Sequence, residues 1–463
     1  MSDTLWRERT SSVSHVAWPP IGRGPSAALE SLARQLEDTQ WLAPPAIEAG
    51  QFHQLRLLAE HAVRHSPHFA RRMAAAGLRP DDLSMPQRLR DVPLLGRRDL
   101  QAKVADVNCA EVPDDHAPVT EYRTSGSTGE PVVVKRTRIN ALFWAAATLR
   151  EYFWHERDFS LRYSAIRAYL PRYGVSDDWG PPASLLFKTG RSQVINMGAD
   201  VGQQARWLEE FDPHVLIVYP SLLDGILQYC RKHGTRLPSL RFVRSVGETL
   251  ADRLRTETRS LFSARVVDNY SSQEVGIIAV QCPDSALYHL VSESLIVEVL
   301  DTAGKPCAPG VVGRVVITDL HNFATPLVRY DIGDYAEVGP PCSCGRGLPT
   351  LRRVVGRERN LILMPDGTRH WPAVGFAGFR DVAPVIQYQF IQDARESIEV
   401  RLVTEAPLTG EQEEALRAIM LEALGFPFTL RFSYFPDRLP GSGGKFEEFV
   451  CRVGPGQPLA PMA

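Results

Sequence analysis

The sequence predicts an α/β protein: a large N-terminal domain with mostly parallel sheets flanked by helices plus a β-rich subdomain, then a small mobile α+β domain. Three observations carry that expectation. Between 163 and 271, short apolar runs alternate with amphipathic ones. After 290 the runs become strand-like and are separated by Gly/Pro turns, and the last hundred residues hold one hairpin and one capped helix. Apolar strands alternating with amphipathic helices are the signature of βα units and a parallel sheet.

The elements follow in order. Residues 1–50 are Pro-rich and irregular, and a 3.6-residue spacing of Phe52, Leu55, Leu58, Ala59 and Val63 predicts a helix over about 51–77. VVVK after the polar stretch RTSGSTGEP reads as a strand, and Asn140 as the N-cap of the helix ALFWAAATLREYFW. SAIRAYL, VLIVYP, RFVRSVGE and ARVVDNY read as strands, with SLLDGILQYCRKHG and TLADRLRTETRSLF as helices between them. SLIVEVL, GRVVITDL and VRYDIGDYAEV form the β-rich part. QYQFIQDARESIEVRLV predicts a hairpin, and Thr409 with Gln412 a capping box on a helix that Gly425 ends. We place the domain boundary between 1–356 and 357–463.

Composition excludes several classes. The 463 residues are 44% hydrophobic, 23% charged and 9% aromatic, which suits a packed core rather than a disordered chain. A net charge of −2 gives no footprint for nucleic acid or an anionic membrane. No apolar run approaches the ~20 residues of a membrane span, and the N-terminus has no secretory h-region. A cytoplasmic protein is expected. The seven cysteines are an odd count and suggest reduced thiols.

Five segments could carry chemistry. Thr124-Ser125-Gly126-Ser127-Thr128-Gly129 offers hydroxyls and glycines whose backbone N–H groups can wrap an anion, although no Walker lysine follows. In Asn269-Tyr270-Ser271-Ser272-Gln273-Glu274, the ring can stack on a purine and the carboxylate can hold Mg²⁺. Asp334 in RYDIGD can receive ribose hydroxyls, Arg357 in GRERN can contact ribose or phosphate, and Lys445 lies on a Gly-rich tail. Taken singly, each is as well explained by an ordinary loop, turn or solvated side chain.

Their order is more specific. The chain resembles the adenylate-forming superfamily of acyl-CoA synthetases, peptide-synthetase adenylation domains and luciferases, and is most similar to its phenylacetate–CoA ligase-like branch. The resemblance runs from about 90 to 446 through TSGSTGEP, VGE, DNYSSQE, RYDIGD, GR and the late lysine. It implies ATP and Mg²⁺ as cofactors. Thr124–Gly129 would hold the phosphates, Gly247 and Glu248 would line the adenine, and Tyr270 would stack on it. Glu274 would bind Mg²⁺, Asp334 and Arg357 the ribose, and Lys445 would bridge the acid carboxylate and the α-phosphate. The hinge falls at Gly356–Asn360, with Arg359 at the position commonly acidic or lysine. Gln273 stands where many members have Thr or Ser, and Glu130 where many have Lys.

Two expectations concern the rest of the chain. Cys282, His289, Cys342 and Cys344 spell C-x6-H and a later C-x-C, a closed set for a structural Zn²⁺, with Cys307 as a spare; four unrelated buried side chains are the other reading. Tyr219-Pro220-Ser221 resembles a pocket segment of the phenylacetate-like group, and Tyr169 with its neighbours would add walls for an aryl acid. Arg167, Arg172, Asp177 and Asp178 leave a polar or amino acid open. The acceptor is CoA, a carrier-protein phosphopantetheine or an amine. The rival classes are a noncatalytic member of the fold and a P-loop-type NTPase, and the oligomeric state is not read from the sequence.

Overall fold

The computed structural model describes residues 24–102, 104–123, 132–167, 173–357, 360–367, 369–370, 379–436, 439 and 446–453. A hairpin of β1 (Val119–Arg123) and β2 (Val133–Thr137) stands by itself. Twelve strands then form one sheet: β3 (Tyr163–Arg167), β4 (Tyr173–Ser176), β5 (Ser192–Asn196), β6 (Val215–Val218), β7 (Phe242–Val246), β8 (Arg265–Ser272), β9 (Gly276–Gln281), β10 (Tyr288–Leu290), β11 (Leu295–Leu300), β12 (Val312–Asp319), β13 (Tyr330–Val338) and β14 (Thr350–Arg357). Their order is β11-β12-β13-β14-β10-β9-β8-β7-β6-β3-β5-β4. The run β5-β3-β6-β7-β8 is parallel, and every other pairing in the sheet is antiparallel. The β-rich part is therefore the continuation of the same sheet.

Burial explains the parallel half. In β6, Val215, Leu216, Ile217 and Val218 are all buried, as a strand covered on both faces must be. Leu216 and Val218 pack with Leu208, Leu223, Ile226 and Leu254 from the helices Val201–Phe211, Pro220–His233 and Asp252–Phe262. Val215 and Ile217 face the other way, toward Leu36, Leu149 and Phe153 of the helices Pro25–Thr39 and Arg138–Trp154. A side-chain period of two puts each residue into one core or the other.

The capping chemistry refines two expected boundaries. The single helix expected over 51–77 is two, Pro44–His65 and Pro67–Ala75. Pro67 has no N–H to continue the first, and Ser66 caps the second by accepting from the Phe69 N–H at 3.3 Å. The helix expected to start at Asn140 starts one turn earlier, with Thr137 as N-cap. Asn140 sits inside it and accepts from the Thr137 N–H at 3.0 Å, closing a reciprocal box.

Near the C-terminus, β15 (Ile362–Leu363) pairs with β16 (Arg369–His370). A four-stranded sheet follows, in the order β19-β18-β17-β20, from β17 (Val385–Ala394), β18 (Ser397–Thr404), β19 (Thr429–Tyr434) and β20 (Phe449–Cys451). The helix Gly410–Leu424 begins with the expected Thr409/Gln412 box and buries Leu416, Met420 and Leu424 against Phe390, Val400 and Leu402. This core has its own residues. Gln228 meets it by donating to the Ile386 carbonyl at 3.1 Å. No helix among the described residues is long and apolar enough to cross a membrane.

Candidate active site

Ligands of open α/β sheets bind where parallel strands end. Strands β7 and β8 are parallel neighbours with Val246 opposite Asn269, so Gly247 and Glu248 emerge beside Tyr270 and Ser271. Gly247 has φ 78°, a left-handed conformation that turns the chain sharply and that a side chain resists. From the antiparallel side, β13 and β14 bring Asp334 opposite Arg357.

These residues form one satisfied cluster. The Tyr270 hydroxyl donates to Asp334 Oδ2 at 2.8 Å, and Arg357 Nε lies 3.3 Å from Asp334 Oδ1. Each carboxylate oxygen is held by one donor and keeps a lone pair for a ligand hydroxyl. Burial, and then the Asp334 charge, push the Tyr270 phenol well above its ordinary range. Desolvation pulls Arg357 down, but Asp334 and Glu274 outweigh it and hold the guanidinium above its usual value. Asn360 fixes the end of β14 by accepting from the Arg357 N–H at 2.8 Å.

Glu274 lies in the turn between β8 and β9, only 4% exposed, while Gln273 beside it is exposed. Arg97 Nη1 is 3.7 Å from Glu274 Oε1, an ion pair beyond hydrogen-bond length. The carboxylate thus keeps lone pairs for a hard cation such as Mg²⁺. Asn269 points inward: with its amide oxygen toward Arg244, it accepts from Nε at 3.0 Å and Nη2 at 2.6 Å. Arg244 in turn lies 3.5 Å from the buried Glu151, which also pairs with Arg157. Sequence reasoning missed Arg97, Arg244 and Glu151, because charged residues inside a strand or helix carry no motif.

Glu248 is drawn to Ser221 and to the C-terminal segment. Its carboxylate accepts from the Ser221 N–H at 2.9 Å and the Ser221 hydroxyl at 3.1 Å, and from the Phe446 N–H at 2.9 Å. Tyr219, Pro220 and Ser221 form the N-terminal turn of the helix Pro220–His233, so the anion also faces the positive end of a helix. Thr124–Gly129, Tyr169, Arg359 and Lys445 lie outside the described residues. Arg123 and Val133, flanking the first of these, are paired across the β1–β2 hairpin.

A cleft next to this edge was not foreseen. Asn140, Phe143 and Trp144 from one helix and Val275 and Ile277 from the β8–β9 hairpin line a recess of about 20 Å³, room for about one water, together with Ser294, Asp319 and His321. Gly276 has φ 87°, and a Cβ there would come within 3.2 Å of Trp144, so the hairpin can approach the indole only as glycine. Burial raises the Asp319 carboxyl to about 7 despite backbone N–H donation from His321.

The thiol cluster sits elsewhere on the sheet, where β9, β10 and the lead into β14 converge. One donor atom from each of Cys282, His289, Cys342 and Cys344 lies within 4.8 Å of the others. Cys282 and Cys342 sulfurs are 3.7 Å apart, close to the ~3.8 Å that two thiolates on a tetrahedral zinc with ~2.3 Å bonds would show. His289 Nε2 is 3.3 Å from Cys344 Sγ, while Nδ1 faces the Leu348 carbonyl at 3.3 Å, the arrangement that aims the other nitrogen at a metal. These donors could hold Zn²⁺ with no position left open.

Comparison with known proteins identifies the family. Residues 64–324 match the family of AMP-binding enzymes. Phenylacetate-coenzyme A ligase of Pseudomonas putida is 24% identical over 345 residues, covering 71% of this chain and 74% of that one. The enzyme of the same name from Escherichia coli K12 is 25% identical over 341 residues, covering 71% and 75%. In fold, the chain superposes on 2-hydroxyisobutyryl-CoA ligase in its postadenylation state with a TM-score of 0.71 at 18% identity, covering 87% and 88%. An anthranilate CoA ligase bound to anthranoyl-AMP gives 0.52 at 15% identity, covering 70% and 64%. With the family model spanning more than half its length and the adenylate-forming fold around these residues, the chain belongs to the AMP-binding enzyme family, as an AMP-forming acid ligase related to the phenylacetate–CoA ligases.

Proposed function

We propose that the protein joins a small carboxylic acid to AMP and then passes the acyl group to the thiol of CoA. The observation that carries this reading is the convergence of Tyr270, Asp334, Arg357 and Glu274 on one edge of the sheet. In the first step a carboxylate oxygen attacks the α-phosphorus of ATP, the bond to the bridging oxygen breaks, and pyrophosphate leaves. In the second, the thiol sulfur attacks the acyl carbon, its proton is lost to solvent, and AMP leaves. No protein nucleophile is needed; alignment and charge neutralisation suffice.

Roles follow from chemistry. Asp334 accepts the ribose hydroxyls with Tyr270 and Arg357 fixing its orientation, and Thr124–Gly129 cradle the phosphates. Gly247 and Glu248 border the adenine, with Asn269 and Ser271 supporting Tyr270. Glu274 would hold Mg²⁺, which would supply positive charge to the phosphates. Lys445 steadies the acid carboxylate against the α-phosphate. A boundary near Gly356, with Arg359 as hinge, lets residues 357–463 turn between the two steps. An aryl acid, with Tyr219, Pro220, Ser221 and Tyr169 as walls, is favoured by the phenylacetate–CoA ligase relatives; carrier-protein or amine transfer is the second reading of the acceptor. The protein would work in the cytoplasm.

Pyrophosphate exchange with a panel of aryl, aliphatic and amino acids tests the first step. Label entering ATP only when an acid is present is expected; formation of ADP and phosphate instead would overturn it. Zinc is tested separately. Protein purified without chelator is expected to hold about one equivalent, and under ~0.2 equivalents would refute a site with four such donors.

A further inference from the structure

One face of the helix Pro220–His233 meets the C-terminal part of the chain at several points. Ser221, Gln228 and Lys232 stand at i, i+7 and i+11, a spacing that the helical repeat brings onto one stripe. Gln228 donates to the Ile386 carbonyl at 3.1 Å, and Lys232 Nζ donates to Glu405 Oε1 at 3.2 Å. These two hold the body of the small sheet, at the start of β17 and just past β18. The Lys232 pair is exposed on both sides, so water screens it and it adds little. Ser221 reaches a different place. Through Glu248 it meets the chain beside Lys445.

Glu248 takes two donors from its own side and one from across. Oε2 accepts from the Ser221 N–H at 2.9 Å, and Oε1 accepts from the Ser221 hydroxyl at 3.1 Å and from the Phe446 N–H at 2.9 Å. The first two belong to the opening turn of a helix, whose positive end favours a negative charge there. They aim the carboxylate whatever the C-terminal segment does, and the Phe446 N–H is the donor that can leave. A hydrogen bond to an ionised acceptor is roughly twice as strong as a neutral one. The nitrogen held in this way is covalently bonded to the Lys445 carbonyl carbon, so the grip fixes one end of that residue. Immediately afterwards the chain belongs to the small sheet. Gln389 Nε2 donates to the Glu447 carbonyl at 2.9 Å, and the Phe390 N–H donates to that of Glu448 at 2.8 Å.

We propose that Glu248 is a positioning residue: its carboxylate, aimed by Ser221, fastens the backbone at Phe446 to the end of β7 and so sets Lys445 for the first step. The inference rests on the acid-activating reading for what Lys445 does there, not for whether Glu248 holds the segment. Because the donor is a backbone N–H, the grip is indifferent to the side chain at 446. A turn of the C-terminal part breaks it; a change of rotamer at 446 does not.

Deuterium exchange, read amide by amide on the full chain without substrates, tests the grip. The Phe446 amide is expected to be protected in the wild type. Its protection falls roughly 10–100-fold in Glu248→Ala, the size of a hydrogen bond to a charged group, and less in Glu248→Gln, which keeps a neutral acceptor. The Phe390 and Arg452 amides, which donate to the Glu448 and Gln392 carbonyls inside the small sheet, keep theirs. In pyrophosphate exchange the two variants lower kcat in the same order, with the KM for ATP within about 3-fold of wild type. The inference is overturned if the Phe446 amide is unprotected in the wild type or unaffected by Glu248→Ala. Loss of protection at Phe390 together with Phe446 also overturns it, since the role would then be general stability. So does a loss confined to the KM for ATP, which would make the carboxylate an adenine contact. Absence of pyrophosphate exchange in the wild type, with Phe446 protection dependent on Glu248, would count against the proposed reaction and leave the grip standing.

Discussion

The nucleotide edge and the adjoining cleft are built on opposite principles. At the edge, Tyr270, Asp334 and Arg357 satisfy one another before any ligand arrives. In the cleft, Ser294 Oγ and His321 Nδ1 are buried with no partner among the described residues. A pre-satisfied cluster is rigid, and offers a fixed geometry to a ligand that never changes. Buried donors left unmade cost stability unless something else completes them.

The comparison can be broken most severely at Asp334. Asp334→Ala removes the acceptor of the buried Tyr270 hydroxyl and one ion pair of Arg357, so kcat/KM is expected to fall about 100-fold or more, ~3 kcal/mol, with a lowered denaturation midpoint. Steady-state kinetics and urea melts check both; an unchanged midpoint would mean that the cluster is not held as described. Tyr270→Phe keeps the ring and removes one donor to Asp334. It is expected to raise the KM for ATP roughly 5–20-fold, about 1–2 kcal/mol, with little effect on stability.

A third test is a dependence on pH at Asp319. Burial raises this carboxyl to about 7 in the folded protein, against an ordinary value of 3.8. A raised carboxyl contributes stability that is fully present below the ordinary value and is lost as pH rises through about 7. Asp319→Asn removes that contribution while keeping an acceptor for the His321 N–H. Between pH 4 and 7.5, roughly, the melting temperature of the wild type should decline relative to that of the variant; parallel curves would show that the carboxylate is not desolvated.

Legibility in the sequence followed the range of the interactions. The Thr409/Gln412 box was readable because both hydrogen bonds span three residues. The parallel strands were readable because continuous apolar runs such as VLIV have one explanation, burial on both faces. Asn140 was read one turn out of place because Thr137 and Asn140 both carry capping groups, and only the backbone shows which is outside the helix. The cleft was not readable at all. Trp144, Val275, Ser294 and Asp319 come from four separate stretches of chain, and none follows a pattern that a single sequence reveals. The thiol set lies between these extremes: the residue types suggested it, but only the fold brings Cys282 to Cys342.

Gly276 has a practical consequence for anyone who would change what the cleft admits. Its left-handed backbone and the 3.2 Å approach to Trp144 close that side to redesign, because even alanine would strain the turn and push the indole. Adjustable volume must come from the facing helix. Trimming Phe143 or Trp144 would enlarge the cleft, whereas the hairpin floor acts as a fixed stop on that side.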